Sequence, residues 1–249
     1  MGGKDSIDPI ASLFAKRDWK PHQFQRDTWQ AYAQGHSGLL HAPTGLGKTL
    51  AVWMGPVAEA FLENDEPKTC RVLWLTPLRA LAQNTVDSLS APLVELGSGL
   101  EVGSRTGDTS AYRRAKLRDK LPFALVTTPE SLSLMLTYED SRQKFSDLRC
   151  IVIDEWHELM GSKRGVQTEL CLARLRRWAP KLRIWGVSAT LGNLREARDV
   201  LLGTGSGRGV LIDCDERRPI EVTTMVPVSV DRFSCCLLYT SPSPRDLLK

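Results

Sequence analysis

The sequence predicts an α/β fold with a mainly parallel sheet flanked by helices. Three observations carry this. Short apolar runs alternate with longer mixed segments, the rhythm of strand–helix–strand units. The runs are apolar throughout rather than at every second residue, as strands covered on both faces require. Each run also ends abruptly in polar, Gly or Pro residues, and in open parallel sheets ligands bind beyond the carboxyl ends of the strands. Five polar segments falling at one sheet edge point to one shared site.

The strands read from this pattern are Gly38–His41, Val72–Leu75, Ala124–Thr127, residues 151–153 and residues 184–187, with a further strand over 210–212. Helices are expected over 50–62, over 113–120 as a basic and exposed segment, over 168–178 where leucines alternate with arginines, and near Leu194–Leu202. The glycine-rich stretch from Gly203 to Gly209 follows a helix rather than a strand and reads as a plain loop, not a dinucleotide fingerprint.

With 249 residues, 42% hydrophobic and 25% charged, the chain can bury a sizeable core. A net charge of +4 permits a nucleic-acid partner without arguing for one. The six cysteines form no C-x-x-C pair and have no histidine at metal-ligand spacing. Cys150 and Cys171, set in apolar stretches, read as buried free thiols, in keeping with a reducing, cytoplasmic compartment. The first ten residues lack the apolar centre of a signal peptide, and no run reaches membrane-spanning length. The expected organisation is a lead-in over 1–20, one nucleotide-binding domain over 21–213, a connector over 214–234 and a tail over 235–249. Within that tail, CLLYTSPSPRD (236–246) looks like the translation of a transposon-end adapter, so it is expected to be foreign to the natural protein.

Three segments carry chemistry. In APTGLGKT (42–49), Gly45 and Gly47 allow backbone N–H groups to curl around phosphates, with Pro43, Thr44 and Leu46 completing the loop. Lys48 offers its charge to the β- and γ-phosphates of ATP, and the Thr49 hydroxyl is placed to ligate Mg²⁺. In DEWH (154–157), Asp154 at a strand end can hold Mg²⁺ and Glu155 can act as general base, while His157 can link the phosphate site to its neighbours. Ser188, Ala189 and Thr190 follow another strand and could report nucleotide state to the DEWH loop.

The ordered set APTGLGKT, TPLRALAQ, RTGDTS, TTPESL, DEWH and SAT resembles the motifs of superfamily 2 DExH-box helicases. The longer stretches LLHAPTGLGKTL, VTTPESLSLML and DEWHELMGSKRGVQ are similar to the bacterial ligase-associated DNA-damage-response helicases of the Lhr-like class. The similarity runs from about Trp19 to Arg232. It implies a RecA-like P-loop NTPase domain, the first of two in a DNA helicase or translocase acting in DNA repair, with DNA favoured over RNA and a DNA ligase or nuclease as possible partner. It implies that Gln25 recognises adenine, that Thr76, Pro77, Leu78 and Arg79 grip the nucleic-acid backbone, and that Arg105, Thr106, Gly107 and Asp108, with Thr128, Pro129 and Glu130, line the same groove. The segment 161–165 is expected to be a basic loop beside it. Since no motif of a second motor domain follows Thr190, the chain alone is expected to unwind nothing. A nucleotide-gated binding module without turnover and a double-strand translocase remain alternatives.

Overall fold

The structure is a computed structural model that describes residues 8–63, 69–203 and 209–214. Most of the 203–209 turn, the connector beyond 214 and the whole 235–249 tail lie outside the described residues.

The chain opens with two helices, α1 (Pro9–Lys16) and α2 (Gln23–Ala33), before strand β1 (Gly38–His41) and helix α3 (Lys48–Glu63). Asp8 caps α1 by accepting from the Ile10 and Ala11 N–H groups, and Pro9 sits in the first turn where its missing donor costs nothing. Leu13 and Phe14 of α1 enter the same core as α3, so the expected lead-in is packed into the domain rather than preceding it. Strand β2 (Val72–Leu75) leads through a 3₁₀ turn (Arg79–Leu81) into α4 (Ala82–Glu95), then β3 (Val102–Arg105), α5 (Ala111–Asp119) and β4 (Ala124–Thr127). There follow α6 (Pro129–Met135), the short α7 (Ser141–Lys144), β5 (Cys150–Ile153), the single turn α8 (Trp156–Leu159) and α9 (Lys163–Trp178). Strand β6 (Arg183–Ser188), α10 (Leu194–Leu202) and β7 (Val210–Asp213) complete the described chain.

The seven strands form one sheet in the order β3-β4-β2-β5-β6-β1-β7, every pair parallel. Because strand side chains alternate between faces, Val72, Trp74, Val126, Val152 and Trp185 pack on the side of α1–α4. Leu73, Leu75, Leu125, Ile151 and Ile153 pack on the side of α6 and α8–α10. Every strand expected from the sequence is present, with bounds extended by one residue at some ends. Strand β3 escaped the sequence reading because VGSR is polar and half-exposed on a sheet edge. The expected basic loop over 161–165 is a helix start: Ser162 caps α9 by accepting from the Gly165 N–H at 3.1 Å, and Lys163 is its first residue. Cys70, Cys150 and Cys171 are free and buried, Cys214 is also buried, and burial pushes the Cys70 thiol up to about 12. Among the described residues no helix is long and apolar enough to cross a membrane.

At the amino ends of the central strands, ions tie three strands to α3. Arg183 at the start of β6 reaches both Glu59 carboxylate oxygens at 2.9 Å and lies 4.3 Å from the Tyr32 ring, whose hydroxyl donates to Glu59 at 2.6 Å. Arg71 before β2 pairs with Glu63 (3.0 Å) and Asp147 (3.0 Å), and Arg149 before β5 pairs with the same two carboxylates at 3.2 and 3.4 Å.

Tolerance to volume is low where β1 meets β7. A Cβ built on Gly38 would lie 2.5 Å from the Val210 carbonyl oxygen and 3.0 Å from the Trp185 ring. Gly38→Ala is expected to cost about 1–3 kcal/mol through overpacking, read as a lower midpoint in thermal unfolding; an unchanged midpoint contradicts this packing.

Candidate nucleotide-binding site and nucleic-acid edge

Strand β6 lies between β1 and β5, with His41 level with Ser188 and Gly186 level with Ile153. The loops leaving β1 and β5 therefore emerge on the same edge, one on each side of the loop leaving β6. Backbone bonds continue the register past the strand ends, from Ala42 N–H to Ser188 C=O (3.1 Å) and from Asp154 N–H to Leu75 C=O (2.8 Å).

After β1 the chain turns through Pro43, Thr44, Gly45, Leu46 and Gly47 into α3, whose first two residues are Lys48 and Thr49. Gly45 and Gly47 have φ of +81° and +89°, a conformation L side chains resist. Gly47 is doubly constrained, because an added Cβ would meet the Gln25 amide nitrogen at 2.7 Å. Lys48 is almost buried, and its ammonium donates to the Ala42 carbonyl at 2.8 Å. Burial pulls the Lys48 pKa below the usual lysine value, while Glu155 and Asp154 oppose the fall. The lysine and the two carboxylates thus share one electrostatic neighbourhood.

On the other side, burial raises the Asp154 carboxyl above the usual range, reinforced by Glu155 and opposed by the Trp74 hydrogen bond, the Glu155 N–H and Lys48. Trp74 Nε1 donates to Asp154 Oδ2 at 3.4 Å and the Glu155 N–H to Oδ1 at 3.0 Å. Glu155 itself is left-handed (φ +45°, ψ +52°), a strained state for a non-glycine residue and one that concentrates at functional sites. Its Oε2 is buried and accepts no hydrogen bond; His157 Nδ1 is 3.5 Å away but is engaged with Ser188 Oγ at 2.9 Å. Ser188 Oγ also accepts from the Thr190 N–H at 3.3 Å, so DEWH and SAT are joined through one hydroxyl.

This donor set fits a hard divalent cation. Two neighbouring carboxylates, one destabilised as an anion and one with an orphaned oxygen, share the electrostatic surroundings of Lys48, the residue before the hydroxyl-bearing Thr49. No group of three or more His, Cys, Asp or Glu side chains suited to a metal exists among the described residues.

Gln25 on α2 is 3% exposed; its Oε1 accepts from the His22 N–H (2.9 Å) and its Nε2 donates to the Gly47 carbonyl (3.1 Å). Beside it a cavity of about 360 Å³ is lined by Phe14, Trp19, Lys20, His22, Gln25 and the loop residues 45–47, among others. Sequence reasoning found Gln25 but neither the aromatic wall from α1 and its following turn nor the Trp74 bond to Asp154. An indole in an apolar run gives no sign that its N–H will reach past the strand end.

The segments expected to meet nucleic acid lie on the same edge in unequal states. Leu78 and Arg79 are exposed, and Arg79 approaches Asp108 at 3.7 Å across to the exposed Gly107 and Asp108, with Thr106 half-buried. Thr76, Pro77, Thr128 and Pro129 are buried; Thr76 Oγ1 donates to the Leu78 carbonyl and Thr128 caps α6, so they present little beyond backbone. Glu130 is held by Arg164 at 2.6 Å. Arg105 corrects the expectation of a groove-lining residue. As the last residue of β3 its side chain turns inward, is 5% exposed, and donates to the Tyr138 hydroxyl at 2.7 Å beneath α5.

The family model of the DEAD/DEAH box helicases matches residues 22–199. The chain belongs to that family. Among curated relatives of this helicase domain, the Lhr helicase/uracil glycosylase of Escherichia coli is 36% identical over 90% of the chain and 16% of its own length. The ATP-dependent helicase Lhr-Core of Sulfolobus acidocaldarius is 35% identical over 78% of the chain and 23% of that protein. The chain therefore spans less than a quarter of either relative. Of solved structures, Mycobacterium smegmatis helicase Lhr bound to ssDNA and AMP-PNP superposes with a TM-score of 0.76 at 30% identity, over 85% of this chain and 28% of that one. The helicase MrfA bound to DNA and AMPPNP gives 0.72 at 26% identity, over 86% and 30%.

The strained Glu155 makes a stability test possible. Glu155→Asn keeps a residue that tolerates the left-handed region and removes the repulsion with Asp154. We expect a gain of about 1 kcal/mol, or roughly 2–4 °C in the unfolding midpoint for a domain of this size, with loss of ATP hydrolysis. A lower midpoint would argue against stored strain.

Proposed function

We propose that the chain is the ATP-binding half of an ATP-dependent DNA helicase or translocase motor. The observation that carries this reading is the meeting of Lys48, Asp154 and Glu155 at the edge where β1 and β5 flank β6. Lys48 exchanges the Ala42 carbonyl for β- and γ-phosphate oxygens, while the loop N–H groups opened by Gly45 and Gly47 cradle them. Thr49 and Asp154 would hold Mg²⁺, which would offset the charge developing on the transferred phosphoryl group. Glu155 orients the attacking water and takes its proton on the unpartnered Oε2. His157, through Ser188 with Ala189 and Thr190 beyond it, carries the state of that site to the neighbouring loop.

Gln25 keeps one amide hydrogen and one carbonyl lone pair beyond its bonds to Gly47 and His22. Together they complement the N7 and N6–H₂ groups of adenine, and the ring faces of Trp19 and His22 bound the adjoining cavity. Leu78, Arg79, Thr106, Gly107 and Asp108, with the backbone around Thr76, Pro77, Thr128 and Pro129 and the Glu130 carboxylate, face a nucleic-acid strand. Such contacts are sequence-independent and salt-sensitive. The ssDNA and DNA ligands of the Lhr and MrfA structures support DNA as the substrate class. The uracil glycosylase half of the Escherichia coli relative's name supports a place in DNA repair. An arginine supplied by a second motor domain would add ~10³ or more in rate.

The test is nucleotide binding by the purified chain. With Mg²⁺ and AMP-PNP at about a hundred times the dissociation constant, stabilisation is about 2.7 kcal/mol, a rise of roughly 5–11 °C in the unfolding midpoint. Lys48→Ala is expected to abolish the rise. A Lys48→Ala chain stabilised as much as the wild type would remove the basis of the reading.

A further inference from the structure

We propose that the concavity at the carboxyl end of α9 is a second nucleic-acid contact, which takes the phosphodiester backbone and a base of a single strand away from the motif-bearing edge. The cavity, about 400 Å³, is lined by Arg142 from α7 and by Ala173, Arg174, Arg177 and Trp178 from α9. Its place follows from the topology. Helix α9 leaves the DEWH loop and runs back to the start of β6, and at 16 residues it is about 24 Å long. Its last turn, and α7 just ahead of β5, therefore sit at the amino edge of the sheet, opposite the nucleotide loops.

Three features distinguish this patch from an ordinary solvated face. No carboxylate lines it. Several arginines elsewhere are matched by acids: Arg17 with Glu95, Arg71 and Arg149 with Glu63 and Asp147, Arg164 with Glu130, Arg183 with Glu59 and Arg198 with Asp199. Arg142 and Arg177 are exposed and form no hydrogen bond or ion pair among the described residues, and Asp140, the acid two residues before Arg142, is taken by Lys144 at 2.6 Å. Second, the third guanidinium is pre-positioned: Arg174 donates to the Leu136 carbonyl at 3.2 Å and lies 5.9 Å from the Trp178 ring. Third, Trp178 is half-buried in the wall, so its ring is both fixed and reachable.

Basic residues in the last turn of a helix complement its dipole, and that effect covers Arg177. It accounts for neither Arg142, which comes from a different helix, nor an aromatic ring set among the charges. Unpaired guanidinium forks match phosphate oxygens bidentately, and an aromatic face amid positive charge is how proteins hold single strands without reading sequence. The inference goes beyond the proposed motor activity and stands without it.

The experiment measures binding of the 249-residue chain to a fluorescein-labelled oligothymidylate by anisotropy over a range of salt concentrations. Each phosphate contact on a single strand contributes about 0.7 to the slope of log K against log salt. Arg142→Ala/Arg177→Ala is expected to lower that slope by about 1.4 and weaken binding several-fold, with its unfolding midpoint unchanged because both residues are exposed. Arg142→Lys/Arg177→Lys is expected to keep the slope. An oligonucleotide carrying 5-iododeoxyuridine is expected to photocrosslink to Trp178, and to continue doing so in Arg79→Ala, whose own loss of slope reports the motif edge. If the double alanine variant keeps the wild-type slope, the second contact does not exist, whatever Arg79→Ala does. If only Arg79→Ala is without effect, the edge reading fails and the second contact stands. Crosslinking confined to the motif edge, or displacement of nothing but a polyglutamate probe from the patch, overturns the proposal.

Discussion

The placement of β6 between β1 and β5 governs the site. Parallel strands are about 4.8 Å apart, so two spacings separate the loop bearing Lys48 from the one bearing Asp154 and Glu155, about 10 Å in all. That gap keeps an ammonium and two carboxylates apart yet within mutual electrostatic reach. The strand in the middle contributes the hydroxyl of Ser188, which His157 reaches without leaving the DEWH turn. A different strand order with the same six motifs would scatter these groups along the sheet edge.

Charge within that gap is held out of balance. Burial disfavours both the Lys48 ammonium and the Asp154 carboxylate, while Glu155 and Asp154 favour the ammonium and Lys48 favours the carboxylate. The lysine makes a temporary bond to its own loop backbone, Asp154 borrows an indole N–H, and one oxygen of Glu155 is left without a donor. The polypeptide therefore satisfies the site only in part, and a ligand that brings both anionic oxygens and a divalent cation resolves several of these deficits together. The left-handed backbone at Glu155 belongs to the same economy of strain, since it turns the carboxylate where a relaxed residue would not point.

How much of this the sequence disclosed depended on whether local pattern or distant packing decided each feature. Central strands were legible because residues such as 72–75 and 150–153 must be apolar on both faces. Edge strand β3 was not, because VGSR needs cover on one side only. APTGLGKT and DEWH stood out through residue type and order, and the topology brings both to one sheet edge. The fate of Arg105 was hidden, because nothing near it indicates that Tyr138, 33 residues on, will receive its guanidinium. The turn at 161–165 looked like a basic loop because its glycines and lysine are ordinary loop residues; the cap at Ser162 and the Glu130 partner of Arg164 made it a helix start. Gln25 was visible, while its aromatic companions belong to a segment whose docking against α3 no short motif announces.

The ionic lacing of Arg71, Arg149 and Arg183 to Glu59, Glu63 and Asp147 has a mechanical meaning. It bolts the rear ends of β2, β5 and β6 to the last turns of the same helix whose first turn carries Lys48 and Thr49. A displacement felt by the phosphate loop is thereby delivered to the whole slab of strands instead of dissipating in a yielding back wall. Front and back of the sheet are tied through one helix, from Lys48 at its start to Glu59 and Glu63 near its end.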